Sequence, residues 1–160
     1  MSGRTTDPDT PPDASPYRFA VVASEFHRDV TSRLLDGALE CLSKHGASDV
    51  LVRWVPGAFE LPLAAQLIAE HGDADAVVAV GCVIRGETPH FDYVCGAAAN
   101  GLMQASLATS VPMAFGVLTT DTQAQADARA GGAVGNKGWD AALTAIQMAI
   151  LSAGILGEAP

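Results

Sequence analysis

The sequence predicts an α/β fold, a three-layer α/β/α sandwich in which helices flank a four-stranded parallel sheet. Three observations carry this reading. Four short apolar runs recur along the chain, each bounded by polar residues, glycine or proline. A stretch with helical spacing of apolar residues follows each run. The central run, Ala76–Ile84 (AVVAVGCVI), is almost wholly apolar, as a strand covered on both faces must be. Strands alternating with helices imply βαβ units, a parallel sheet and right-handed crossovers.

The elements follow in order. Residues 18–24 (RFAVVAS) read as a buried strand. Residues 29–45 place Val30, Leu34, Leu35, Ala38 and Leu42 at helical spacing, with Gly46 as the stop. Residues 49–55 (DVLVRWV) are a second strand, ended by Pro56 and Gly57. Residues 59–71 read as a helix, with Pro62 tolerated in a first turn whose N–H groups lack helical partners. The third strand, Ala76–Ile84, leads into a long helix over 89–109. A fourth strand covers 113–118 and a short helix 121–130. A glycine-rich loop is expected over 131–138, and a last amphipathic helix over 139–156. The architecture is flavodoxin-like.

The 160 residues suit one domain, expected over 17–160. A domain of this size buries roughly 70% of its unfolded surface, enough to fold without a disulfide or metal. Residues 1–16 hold four prolines and three aspartates and read as a disordered or extended arm, with order beginning at Tyr17. A net charge of −9 argues against nucleic acid binding, which needs a basic face. Hydrophobic residues at 49% against 17% charged suggest apolar surface reserved for subunit contacts. Cys41, Cys82 and Cys95 form no CxxC pair, so neither a disulfide framework nor a zinc site is expected. The N-terminus lacks the apolar stretch of a signal peptide, and no apolar run reaches the ~18 residues of a membrane span. The expectation is a soluble cytoplasmic protein with no membrane partner.

In open parallel sheets ligands bind beyond the carboxyl ends of the strands. The richest such junction here is Arg85-Gly86-Glu87-Thr88-Pro89-His90. A glycine-containing loop entering a helix offers backbone N–H groups and a positive dipole end to an anion such as phosphate. His90, in the first turn, suits a neutral imidazole able to take up a proton. An ordinary helix start with an exposed histidine fits the spacing equally well. Phe26 follows the first strand and could stack on a planar ring, or serve as a hydrophobic lid. Glu60, after Pro56-Gly57-Ala58-Phe59, could grip a polyol, or could simply favour the helix dipole. Arg129 and Lys137 could hold phosphate, yet alone would be routine surface cations. Cys82 and Cys95 read as inert core thiols.

Five segments in order, VVASEFH, WVPGAFELP, GCVIRGETPHFDYV, FGVLTTDT and GNKG, resemble the lumazine synthase family of riboflavin biosynthesis. The likeness runs from Tyr17 to Ile155. It implies condensation of 5-amino-6-(D-ribitylamino)uracil with 3,4-dihydroxy-2-butanone 4-phosphate, giving 6,7-dimethyl-8-ribityllumazine, phosphate and water, with no cofactor or metal. By resemblance, Phe26 stacks on the pyrimidine, Ala58, Phe59 and Glu60 hold the ribityl chain, and Cys82, Val83 and Ile84 meet the uracil edge. Gly86, Glu87 and Thr88 bind the phosphate. Arg129 completes that phosphate site and Phe115 the ring pocket, both from a neighbouring subunit, with Lys137 adding charge. His90 is the implied acid/base.

The resemblance further implies a homo-pentamer with sites between subunits. A 60-subunit shell and an enclosed riboflavin synthase partner are open options, since the GGAVGNKG loop fits shell formers and the proline-rich arm does not. The stretch from Thr122 to Ala126 lacks the family's usual acidic residue there. Two rivals stand beside this reading: a flavin- or lumazine-binding protein without turnover, and a shell subunit whose catalysis has decayed.

Overall fold

The computed structural model describes residues 9–158 and residue 160. The elements are β1 (Phe19–Ser24), α1 (Arg28–Lys44), β2 (Leu51–Val55), a single 3-10 turn (Ala58–Glu60), α2 (Leu61–Glu70), β3 (Ala76–Ile84), α3 (His90–Thr109), β4 (Met113–Thr120), α4 (Gln123–Arg129), β5 (Ala130–Gly132), β6 (Gly135–Asn136) and α5 (Lys137–Leu156). The sheet has the order β2-β1-β3-β4, with every pair parallel. It is the predicted four-stranded parallel sheet.

Alternation along the strands divides the core in two. Phe19, Val21, Ala23, Val78 and Val80 point to one face, where α1 supplies Val30, Leu34 and Leu42 and α5 supplies Ala145, Ile146 and Ala149. Ala20, Val22, Val77, Ala79 and Val117 point to the other, under Leu61 and Ala65 of α2 and Ala98 and Leu102 of α3. These are the three layers. The sheet is buried on both sides, so β1, apart from Ser24, and most of β3 can be apolar.

Alanine and glycine let the outer helices approach closely. A Cβ on Gly138 would overlap the Leu34 carbonyl, and one on Gly37 would overlap the Asn136 side chain. Asn136 caps α5 by accepting from the Gly138 N–H at 2.9 Å and the Trp139 N–H at 3.2 Å, while its amide donates to the Arg33 carbonyl at 3.0 Å. The GNKG segment is therefore first a device that docks α5 on α1.

Several expectations need correction. Order does not begin at Tyr17. Ala14 is fully buried in the α1/α5 side of the core, and its N–H donates to the His45 carbonyl at 2.8 Å. Ser15 and Asp13 lie against Gly46, whose positive φ turns the chain away after α1. The remainder of the expected arm, residues 1–8, lies outside the described residues. The helix expected from Phe59 opens as the 3-10 turn and becomes α-helical at Leu61, one residue before Pro62. The fourth strand runs two residues past Leu118, because Thr119 and Thr120 pair with Val83 and Ile84. The glycine-rich segment is not an open loop: Ala130–Gly132 and Gly135–Asn136 form a small antiparallel hairpin, and α5 starts at Lys137.

The short helix α4 keeps its start despite the missing acid. Thr122 Oγ1 accepts the Gln125 N–H, and the Gln125 side chain accepts from the Thr122 and Asp121 N–H groups. Helix α5 is long and apolar enough to cross a membrane by length and composition, contrary to the expectation that no such stretch exists. One face of it packs on α1 and the sheet through Ala141, Ala142, Ala145, Ile146 and Ala149. That is the arrangement of a core helix. Met148, Leu151, Ile155 and Leu156 remain exposed on it.

Candidate active site

The candidate residues gather along the carboxyl edge of the sheet. Past Ser24 the chain keeps pairing without strand geometry: the Glu25 N–H donates to the Val55 carbonyl at 2.8 Å and the Phe26 N–H to the Pro56 carbonyl at 3.1 Å. The first and second junctions are thus stitched together by backbone. Phe26 stands out from this edge at 68% exposure, its ring in edge contact with His27 at 4.8 Å. His27 takes a left-handed conformation (φ 56), and its carbonyl accepts from the Val30 and Thr31 N–H groups to start α1. Behind the junction the Arg28 guanidinium lies 4.1 Å from the Trp54 ring centroid.

Beside Phe26, the turn Ala58–Glu60 presents Phe59 at 61% exposure and Glu60 in the open. Ala58 is buried. Cys82 is buried as well, while Val83 and Ile84 are half-buried at the strand end. Burial pushes the Cys82 thiol up to about 12, with Asp29 and Asp127 adding to the shift against Arg33. The half-buried Cys95 thiol is raised by burial and then by Asp92. Neither is placed as a nucleophile.

The third junction is the most open. Gly86, Glu87, Thr88, Pro89 and His90 are all exposed. The N–H groups of Gly86, Glu87 and Thr88 have no acceptor among the described residues. Thr88 Oγ1 accepts the His90 N–H at 3.4 Å. Three N–H groups without acceptors among the described residues, one hydroxyl and the start of a 20-residue helix are the groups that can receive an oxyanion, and His90 is the first residue of that helix.

Phe115, Arg129 and Lys137 are not part of this edge. Phe115 pairs with Ala79, five positions before the Ile84–Thr120 pair, which puts it about 17 Å back along the strand. It sits at 46% exposure on β4, an outer strand of the sheet. A groove of about 410 Å³ there is lined by Phe115, Lys137, Asp140 and Thr144 among others. Lys137 Nζ meets Asp140 at 2.9 Å. Arg129 closes α4 and donates to the Gln125 carbonyl at 2.9 Å. The named residues therefore fall into two groups, one at the strand ends and one along the β4 flank and α4. The residues of the strand-end loop, 85–90, are all exposed.

One residue of this junction has no role assigned to it by the sequence. Arg85 carries the densest set of polar contacts at the third junction, to Asp121, Asp92 and Phe91. An arginine between a strand end and a glycine was the available signal. Its main partner lies 36 residues on, so spacing could not pair them.

The comparisons with known proteins bear on this geometry. The family described as 6,7-dimethyl-8-ribityllumazine synthase matches residues 16–153. The chain belongs to that family. It is 56% identical over 137 residues to the 6,7-dimethyl-8-ribityllumazine synthases of two strains of Thermus thermophilus, covering 84% of this chain and 87% of theirs. The same enzyme of Salinibacter ruber is also 56% identical over 137 residues, covering 84% of this chain and 88% of that one. As a lumazine synthase family member the chain is an enzyme, a transferase, and the layered α/β fold is that of the family. All five sequence segments lie within the matched span.

Proposed function

We propose that this chain condenses 5-amino-6-(D-ribitylamino)uracil with 3,4-dihydroxy-2-butanone 4-phosphate to 6,7-dimethyl-8-ribityllumazine, releasing phosphate and water, in the penultimate step of riboflavin biosynthesis. One observation carries the reading. An exposed aromatic, a turn with a free carboxylate and an anion cradle ending in histidine share one sheet edge, in a chain 56% identical to named lumazine synthases. Phe26 stacks on the pyrimidine, and the turn Ala58–Glu60 holds the ribityl chain, with Glu60 accepting from its hydroxyls. Cys82, Val83 and Ile84 meet the uracil edge through backbone groups. The Gly86, Glu87 and Thr88 N–H groups take the phosphate. His90 moves protons through imine formation, phosphate loss and ring closure. Such transfer is worth ~10²–10⁴ in rate, and holding two substrates together contributes further.

The site is completed by a second copy of the chain in a homo-pentamer. The position of Phe115 supports this, because the strand-end edge of its own chain is about 17 Å away while its side chain is exposed on an outer strand. Arg129 and Lys137 bring positive charge from the same neighbour. The proposal includes a cytoplasmic location. Light scattering distinguishes a free pentamer from a 60-subunit shell able to enclose riboflavin synthase.

Incubation of the purified protein with both substrates tests the reaction through lumazine fluorescence. Turnover dependent on both substrates is expected. Tight binding of the pyrimidine or the product with no turnover would overturn the reading in favour of a binding protein.

A further inference from the structure

The Arg85 side chain does three things at once. Its Nε donates to Asp121 Oδ1 at 2.7 Å, across to the junction that follows β4. Its Nη1 lies 3.6 Å from Asp92 Oδ1, in the first turn of α3. Its guanidinium covers the Phe91 ring at 4.3 Å from the centroid. The Arg85 N–H also donates to the Thr120 carbonyl at 2.9 Å, so its backbone is pinned as well. The residue precedes the three unpaired N–H groups of Gly86, Glu87 and Thr88, and its side chain holds the two residues that follow His90.

We infer that Arg85 is a positioning residue, which clamps the anion-binding loop and the first turn of α3 against the β4–α4 junction. Both ends of the loop are then tied to one guanidinium: residue 85 by covalent structure, residues 91 and 92 by stacking and charge. Asp121 anchors that guanidinium to a different strand. The loop's backbone donors are thereby fixed in direction before ligand arrives, which lowers the ordering cost of binding. Lysine cannot replace this geometry, because it offers neither a planar face for Phe91 nor a second donor for a second carboxylate. The substrate consequence rests on the function proposed above.

Hydrogen–deuterium exchange and steady-state kinetics on the intact protein test the clamp in Arg85→Ala, Arg85→Lys and Asp121→Asn variants. Exchange over residues 92–95, where the hydrogen-bonded N–H groups of α3 begin, is expected to rise about fivefold in Arg85→Ala and Asp121→Asn, with Arg85→Lys between them and wild type. KM for the phosphate-bearing substrate should rise by a similar factor, while KM for the pyrimidine stays within about twofold. Unchanged exchange in Arg85→Ala, or an equal rise in both KM values, overturns the clamp. If the wild-type protein forms no lumazine, the reaction proposal fails by itself, and exchange over residues 92–95 alone decides the clamp. Should Arg85→Ala not fold, exchange in Arg85→Lys and Asp121→Asn decides it: a rise over residues 92–95 supports the clamp, and wild-type exchange in both overturns it.

Discussion

A Cβ placed on Gly81 would stand 2.6 Å from the Ser24 hydroxyl oxygen, so the ends of β1 and β3 fit together through a glycine and a small side chain. Ser24 is fully buried and its hydroxyl has no hydrogen-bond partner among the described residues. The contact lies two residues before Phe26 and five before Gly86. Packing at this point therefore sets the spacing between the proposed ring platform and the proposed phosphate cradle.

Gly81→Ala is expected to destabilise the protein by roughly 1–3 kcal/mol through overpacking. Ser24→Ala alone should be close to neutral, because the lost hydroxyl made no hydrogen bond. The double variant should recover most of the loss, since the remaining neighbours, Ser24 Cβ and Leu61 Cδ1, lie at an ordinary 3.4 Å. Denaturant unfolding of the four proteins reads the coupling. Additive effects would mean that the two residues do not constrain one another.

The strand ends were readable from the sequence because burial on both faces leaves an unmistakable apolar run, as in Ala76–Ile84. The first turn of α3 was readable too, since Pro89 and His90 mark a helix start by local rules. Contacts that cross the sheet were not. Nothing near Gly81 names Ser24, and nothing near Arg85 names Asp121. Residues 131–138 read as an open glycine-rich loop because glycines signal backbone freedom. Gly138 is there instead because Leu34 leaves no space for a Cβ. Ala14 was missed for the opposite reason: a proline-rich surrounding hides one alanine that is buried.

Gly138→Ala is expected to cost about 3 kcal/mol or more, because the obstacle is the Leu34 carbonyl rather than a movable side chain. Thermal unfolding should show a drop of many degrees or an insoluble product. A neutral effect would show that α1 and α5 can separate freely.

The Arg33 side chain binds the Asp127 carboxylate, joining α1 to the helix that carries Arg129. The hydrogen bond from Arg33, helped by one from Gln123, holds the Asp127 carboxyl below its ordinary value of 3.8. A depressed carboxylate adds stability above its unfolded-state pKa, and this is lost as pH falls through the lower folded value. Exchange protection of α4 should therefore be flat from neutral pH to about 5 and decline only in stronger acid. Asp127→Asn should show the reduced protection already at neutral pH. Equal protection in the two proteins at neutral pH would remove the ion pair from the account.

The proposed site joins residues of two chains, and subunit mixing reads this out. His90→Ala alone should lower kcat by ~10²–10⁴ yet leave measurable turnover, because substrate positioning survives. Arg129→Ala alone should lose phosphate affinity. Co-expressed in equal amounts, the two variants should recover activity in about one quarter of the sites, where an intact His90 meets an intact Arg129 from its neighbour. Activity that stays at the average of the two single variants would contradict the shared site and place both residues on one chain.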